Sequence, residues 1–142
     1  MRALFDVSAL LAVFDKDHLF HGTARAWWAA NPRAGWATCP LTQNGFVRIM
    51  SQPSYLQKRS TIEAIDALRA GLSQPEHEFW PDDISIADDA MFDHARILGP
   101  NQITDVYLLG LAVKNGGRLV TFDRGLPLQA VRGAEARHLV VL

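Results

Sequence analysis

Short apolar stretches alternate with longer segments of helical periodicity along this chain. Strands are predicted at residues 2–6, 35–41, 77–81, 118–123 and 138–142. Helices are predicted at residues 8–14, 19–31, 42–51, 60–72, 105–115 and 125–131. Strands that are separated by helices pair in parallel, and the helices cover the faces of the sheet. We therefore expect an α/β/α sandwich with a mainly parallel central sheet.

Length and composition predict one domain that spans residues 1–142. The chain is 49% hydrophobic, which is enough to fill one core. A formal net charge of -1 argues against a strongly basic nucleic-acid coat and against an acidic tail. The single cysteine, Cys39, excludes an internal disulfide and a cysteine zinc site. Asp6 and Asp15 interrupt the first apolar run, so we expect a cytoplasmic protein with no secretion signal and no membrane span.

Capping residues predict where several helices begin and end. Ser60 and Glu63 form a capping-box pattern at the start of one helix. Ser85, with Asp88 three residues later, predicts a further helix with a looser cap, and Thr104 is a good N-cap for the helix that follows. The glycine pair at 116–117 predicts the end of that helix.

Four polar side chains are predicted at the carboxyl ends of the strands, where open parallel sheets bind ligands. Asp6 ends the first predicted strand, and Asp123 ends the strand at 118–123. Asp105 and Gln43 each follow a threonine in the first turn of a predicted helix. The sequence therefore predicts that these four groups converge.

Each acid also has a structural interpretation. Asp105 suits the positive end of a helix dipole, and Asp123 suits the first position of a turn. Asp6 is harder to explain structurally, because a carboxylate in an apolar run is costly unless it is paired or binds a metal. Three carboxylates together repel one another unless a proton or a cation intervenes. Oxygen ligands select hard ions such as Mg²⁺ or Mn²⁺, which support hydrolysis of nucleic-acid phosphodiesters.

The chain also resembles a known family along essentially its whole length. The segments "LFDVSALLAVFDKDHLFHGTARAWW", "ATCPLTQNGFVRIMS" and "ITDVYLLGLAVKNGGRLVTFDRGL", in this order and spacing, are similar to PIN-domain ribonucleases of the VapC toxin type. The resemblance implies an α/β/α sandwich, Mg²⁺ or Mn²⁺ at an acidic cluster, and endoribonuclease activity on tRNA or rRNA. It also implies neutralisation by a cognate antitoxin protein.

The resemblance assigns roles to individual residues. It makes Asp6, Asp105 and Asp123 the catalytic and metal-binding acids, with Ser8 and Thr121 as supporting hydroxyls. Gln43 stands where many relatives have a glutamate. An amide can orient a water molecule but cannot act as a general base, so we expect Gln43 to help position the attacking water.

Other residues are weaker candidates. Arg48, Arg118 and Arg124 neighbour the motifs and are expected RNA contacts. His18 and His21 have a spacing that can bind metal, but a capping or surface role is favoured. The four tryptophans are predicted to pack in the core or in an interface rather than to stack on bases. The apolar surfaces of two predicted helices, at 19–30 and 62–72, suit a homodimer or an antitoxin helix.

Two other functions stay open at this stage. Enzymes that use an aspartyl phosphate also place an aspartate after the first strand, but the related phosphatases need an acid two positions later, where this chain has Ser8. A PIN-like interaction module with a weakened site is suggested only by Gln43. A metal-dependent endoribonuclease toxin remains the favoured interpretation.

Overall fold

A computed structural model describes all residues, 1–142, and contains one five-stranded sheet. The strands are β1 (Ala3–Phe5), β2 (Trp36–Thr38), β3 (His77–Phe79), β4 (Arg118–Thr121) and β5 (Leu139–Val141). Their order in the sheet is β3-β2-β1-β4-β5, and every neighbouring pair is parallel. The predicted parallel α/β architecture is therefore confirmed.

Five α-helices and four short 3₁₀ turns connect the strands. The helices are α1 (Val7–Phe14), α2 (His21–Ala30), α3 (Pro40–Met50), α4 (Thr61–Leu72) and α5 (Ile103–Lys114). The 3₁₀ turns are His94–Arg96, Pro100–Gln102, Leu128–Ala130 and Ala136–His138. None of these helices combines the length and apolar character that crossing a bilayer demands.

Alternating side chains of the strands enter two separate cores, one on each face of the sheet. Phe5 packs with Phe46 and Met50 beneath α1, α3 and α4, whereas Leu4 packs with Leu109 beneath α5 on the opposite face. Burial of each such side chain contributes roughly 1.5–3 kcal/mol to stability. Two covered faces explain why the strands are apolar without a polar alternation.

The helix predicted to start at Ser85 or Asp88 is wrong. Residues 81–99 form turns and a 3₁₀ turn, joined to the rest of the fold by an isolated bridge between Phe92 and Val131. The Ser85 hydroxyl accepts a hydrogen bond from the Ala87 amide, and the Asp88 carboxylate accepts one from the Ala90 amide. These local bonds satisfy backbone donors in a turn and so compete with helix formation.

The predicted N-cap at Thr104 is also wrong by two residues. The 3₁₀ turn at Pro100–Gln102 continues directly into α5, so that Gln102 takes the N-cap position and Thr104 lies within the first turn. The capping box at Ser60 and Glu63 is confirmed, with both reciprocal hydrogen bonds at 3.1 Å.

Candidate active site

Three carboxylates surround one cleft at the carboxyl edge of the sheet. Asp6 directly follows β1, and Asp123 lies two residues beyond the end of β4. Asp105 enters from the first turn of α5. Because β1 and β4 are parallel neighbours, their carboxyl ends meet at one edge, and all three acids line the same cleft. The structure thus brings together the acids that the sequence predicted.

Asp6 is the most buried of the three, with 5% of its surface exposed. Its Oδ1 accepts a hydrogen bond from the Ala9 amide at 2.7 Å, which makes Asp6 the N-cap of α1. Its Oδ2 accepts a hydrogen bond from the Thr121 hydroxyl at 2.5 Å. Burial raises the pKa of Asp6 above its usual value, and these two bonds oppose the shift. One lone pair on each oxygen remains free for another ligand.

Asp105 has no hydrogen-bond partner for its carboxylate and is partly buried. Burial, together with the negative charges of Asp6 and Asp123, raises the pKa of Asp105 to about 6. The carboxylate therefore carries an unmet electrostatic cost near neutral pH. A proton or a cation in the cleft would remove this cost.

Asp123 both stabilises a turn and lines the cleft. Its Oδ1 accepts a hydrogen bond from the Gly125 amide at 2.8 Å, as the turn interpretation predicts. The Asp123 amide donates to the Thr121 hydroxyl oxygen at 2.9 Å. Thr121 is fully buried and therefore links the backbone of one acid to the carboxylate of another. Ser8 also lines the cleft but is exposed.

Gln43 does not line this cleft, in contrast to the expected role in positioning water. Its amide nitrogen donates to the Thr38 hydroxyl at 2.9 Å, and that hydroxyl also bonds to His77 Nε2 at 2.9 Å. Thr38 is fully buried at the end of β2, so this bond satisfies a buried polar group. Gln43 therefore faces away from the acids because its amide bonds to Thr38 on β2 instead.

The three candidate arginines lie in different places. Arg48 is exposed, makes no ion pair and lines the cleft with the acids. Arg124 is exposed beside Asp123 and lines an adjacent depression. Arg118 lies at the opposite end of β4, where its guanidinium packs 4.9 Å from the Trp27 ring and donates to Asn31 Oδ1 at 3.1 Å. The expectation that Arg118 contacts RNA beside the acids is not supported, because the first residue of β4 faces the other edge.

The histidines and tryptophans have structural contacts. His18 Nδ1 accepts a hydrogen bond from the Phe20 amide, and His21 Nδ1 donates to the Ala12 carbonyl at 2.7 Å. Trp36 and Trp80 are each 3% exposed. Trp27 and Trp28 pack against Phe5 in the core. The packing interpretation of the tryptophans is therefore confirmed.

The chemistry of the cleft suits a hard divalent cation. The groups that it offers to a ligand are the carboxylate oxygens of three acids, and such oxygens are the ligands that hard cations prefer. No three His, Cys, Asp or Glu side chains are close enough together to enclose a metal ion by themselves. Mg²⁺ does not need such a cage, because it keeps several waters and often contacts only one or two carboxylates.

Five residues that line the cleft were not predicted from the sequence: Val7, Ile49, Thr104, Leu108 and Phe122. Phe122 could have been found, because it stands between Thr121 and Asp123 in the quoted motif. Thr104 has no such signal, because its place before Asp105 predicts only a helix cap.

Comparison with known proteins places the chain in a family. Residues 3–132 match the model of the PIN domain. Ribonuclease VapC44 of Mycobacterium tuberculosis is 49% identical over 142 residues, which cover 100% of both chains. Ribonuclease VapC38 of the same species is 45% identical over 127 residues and covers 87% of this chain and 86% of its own.

A solved structure supports the same fold. The crystal structure of Mycobacterium tuberculosis VapC20, described as a sarcin-ricin loop cleaving toxin, matches with a TM-score of 0.57 and 14% identity. The match covers 82% of this chain and 85% of that one. Sequence and fold lead to one conclusion: this chain belongs to the PIN-domain family and, within it, to the VapC ribonucleases.

Proposed function

We propose that this chain is a divalent-metal-dependent endoribonuclease, the toxin of a toxin–antitoxin pair. The observation that carries the proposal is the group formed by Asp6, Asp105 and Asp123 around one cleft. In a metal-dependent enzyme such carboxylates bind the cation. Without a cation the three carboxylates only repel one another and destabilise the folded chain. The names of the similar ribonucleases support RNA as the substrate.

In this proposal Asp6, Asp105 and Asp123 would hold Mg²⁺ or Mn²⁺ together with water molecules that stay bound to the ion. When bound, the cation would activate water and stabilise charge on the phosphoryl oxygens. Thr121 fixes the Asp6 carboxylate through its hydroxyl, so that the carboxylate is already oriented before any ligand arrives. Ser8, on the exposed side of the cleft, can donate a hydrogen bond to a phosphate oxygen.

Arg48 and Arg124 offset the charge of the acids for an anionic substrate. Both are exposed and make no ion pair with a protein carboxylate, so their guanidinium groups are free to contact RNA phosphates. Arg48 lies in the cleft itself, and Arg124 extends the positive charge along one side. We assign no such role to Arg118.

The partners follow from the same family membership. We propose tRNA or rRNA as the substrate, a cognate antitoxin as the inhibitor, and a homodimer as the assembly. Exposed Ile62 and Ile65 give α4 an apolar surface that suits a protein contact.

The decisive experiment is cleavage of a mixed tRNA and rRNA pool by antitoxin-free protein. Cleavage should require added Mg²⁺ or Mn²⁺ and should stop in excess chelator. The Asp105→Asn protein should cut more than about 100-fold slower, because it loses a charged ligand worth several kcal/mol. Its circular dichroism and thermal melting serve as the control for folding.

Two results would contradict the proposal. Cleavage that persists at full rate in chelator would exclude the metal requirement. A folded protein that binds Mn²⁺, as measured by calorimetry, yet cuts neither tRNA nor rRNA would instead support an interaction module.

A further inference from the structure

We propose that Phe20 and Phe122 form a stacking platform for one unpaired base of the RNA substrate, next to the phosphate that is cut. The proposal rests on the proposed function and adds the part of the substrate that is recognised. It concerns two rings that are 102 positions apart in the sequence and meet only in the fold.

Phe122 connects the catalytic cleft to a second depression. It lines the cleft together with Asp6, Asp105 and Asp123. It also lines the adjoining depression, whose other walls are Phe20, Thr23, Arg124 and Leu142. A nucleotide bound with its phosphate at the acids therefore has its neighbouring base beside these rings.

Phe20 has the exposure and the support that a platform needs. Its surface is 47% exposed, and its ring centroid lies 5.1 Å from that of Phe122, with an angle of 34° between the planes. Its backbone is fixed, because the Phe20 amide donates to His18 Nδ1 at 3.0 Å and its carbonyl accepts from the Ala24 amide at 3.0 Å. The ring therefore needs little ordering when a base binds.

An unpaired base is the ligand that fits these features. A base in a duplex is covered on both faces by its neighbours, whereas a base in a loop can stack on an aromatic ring. Arg124, exposed and without an ion pair, lies in the same depression and can contact the adjoining phosphate. The combination of an exposed ring and a free guanidinium is typical of single-strand binding.

The test uses a single-stranded oligoribonucleotide that the wild-type protein cuts at one known bond. Each base that flanks this bond is removed in turn, leaving an abasic sugar. For the wild-type protein, removal of the platform base should raise KM by roughly 5- to 150-fold, the range for stacking of one base. Phe20→Ala should raise KM on the intact RNA by a similar factor, with little change in kcat. On the RNA that lacks this base, wild type and Phe20→Ala should be equal.

Matched variants separate stacking from general apolar packing. Phe20→Leu keeps apolar volume without a ring and should resemble Phe20→Ala, whereas Phe20→Tyr should restore tight binding. Leu19→Ala is the control, because Leu19 is 82% exposed but lies outside both depressions. It should cut like the wild type.

Measurements of RNA binding test the stacking platform independently of the nuclease proposal. Fluorescence anisotropy of the same RNA with Asp105→Asn, alone and combined with Phe20→Ala, measures the platform without any cutting. If the wild-type protein did not cut RNA with added Mg²⁺ or Mn²⁺ but Phe20→Ala still weakened RNA binding, only the nuclease proposal would be overturned. Equal affinity and equal KM for Phe20→Ala and wild type on intact RNA would overturn the platform.

Discussion

The two ends of the sheet treat charged side chains in opposite ways. At the amino edge, Arg2 pairs with Glu78 at 2.9 Å, and Arg118 packs on Trp27 and bonds to Asn31. At the carboxyl edge, Asp105 has no partner. One edge places its cations against carboxylate, carbonyl and aromatic groups, while the other collects like charges around a cleft.

This difference separates a region in which charged groups have partners from one in which carboxylates repel one another. At the amino edge, stability comes mainly from packing, as for Trp36 and for the Arg118 guanidinium over Trp27, although the buried Nε of Arg118 has no hydrogen-bond partner. Clustered acids at the carboxyl edge repel one another and cost stability, as is common at functional sites. Substitutions at the two edges should therefore affect different measurements.

The largest effect should come from Trp36→Ala at the amino edge. Trp36 is 3% exposed and packs against Trp28 and Phe14, with ring centroids 5.1 and 5.3 Å away. We expect a loss of about 3–5 kcal/mol in the free energy of unfolding, measured with urea. RNA cleavage well below the melting temperature should stay normal, and a folded but inactive variant would show that the two edges are coupled.

The second-largest effect should come from Thr121→Val, because this substitution removes the hydroxyl that joins two acids at the carboxyl edge. The substitution keeps the side-chain shape but leaves the Asp6 carboxylate and the Asp123 amide without this partner. We expect a loss of roughly 1.5–3 kcal/mol by urea unfolding, together with weaker Mn²⁺ binding by calorimetry. Thr121→Ser should restore most of both, and failure to do so would assign the effect to packing.

Asp105→Asn should stabilise the metal-free protein, in contrast to the two changes above. The pKa of Asp105 is about 6 in the folded chain and is near 3.8 ordinarily, so folding holds its proton more tightly. The contribution of Asp105 to stability in chelator should therefore fall as pH rises from about 4 through 6. The asparagine variant should gain about 1–2 kcal/mol at pH 7.5 and almost nothing at pH 4. An equal difference at both pH values would contradict the charge explanation.

The smallest effect should be a change in the salt dependence of RNA affinity, and it should differ between two arginines on opposite edges. Arg48→Ala should reduce the salt dependence of RNA affinity, lowering the slope of log affinity against log salt by about one. Arg118→Ala should leave this slope unchanged, since Arg118 faces the other edge. Fluorescence anisotropy across a salt series measures both, and equal slopes for the two variants would remove the distinction.

The sequence was sufficient to predict the sheet and its acidic edge. Parallel pairing follows from the alternation of short apolar and helical segments, and Asp6 and Asp123 could be placed because parallel strands end together. The helix predicted after Ser85 failed because the hydroxyl of Ser85 and the carboxylate of Asp88 satisfy local amides instead.

The placement of the other candidate residues depends on contacts that local sequence patterns do not predict. Gln43 lies on the expected helix, but its amide bonds to buried Thr38 rather than facing the acids. Arg118 is close to Asp123 in sequence. However, it is the first residue of β4, so the length of the strand separates it from the acids at the carboxyl edge. The contact of Phe20 with Phe122 had no local signal, because only the finished fold brings these rings together.

Because β1 lies at the centre of the sheet, one of its two partner strands, β4, is synthesised much later than β1 itself. The first strand to leave the ribosome pairs with β4, so that Leu4 finds Leu119 only after most of the chain has been made. Asp123 emerges later still. Chains released before residue 118 therefore lack both the central pairing and the third acid, and they cannot cut RNA by the proposed mechanism.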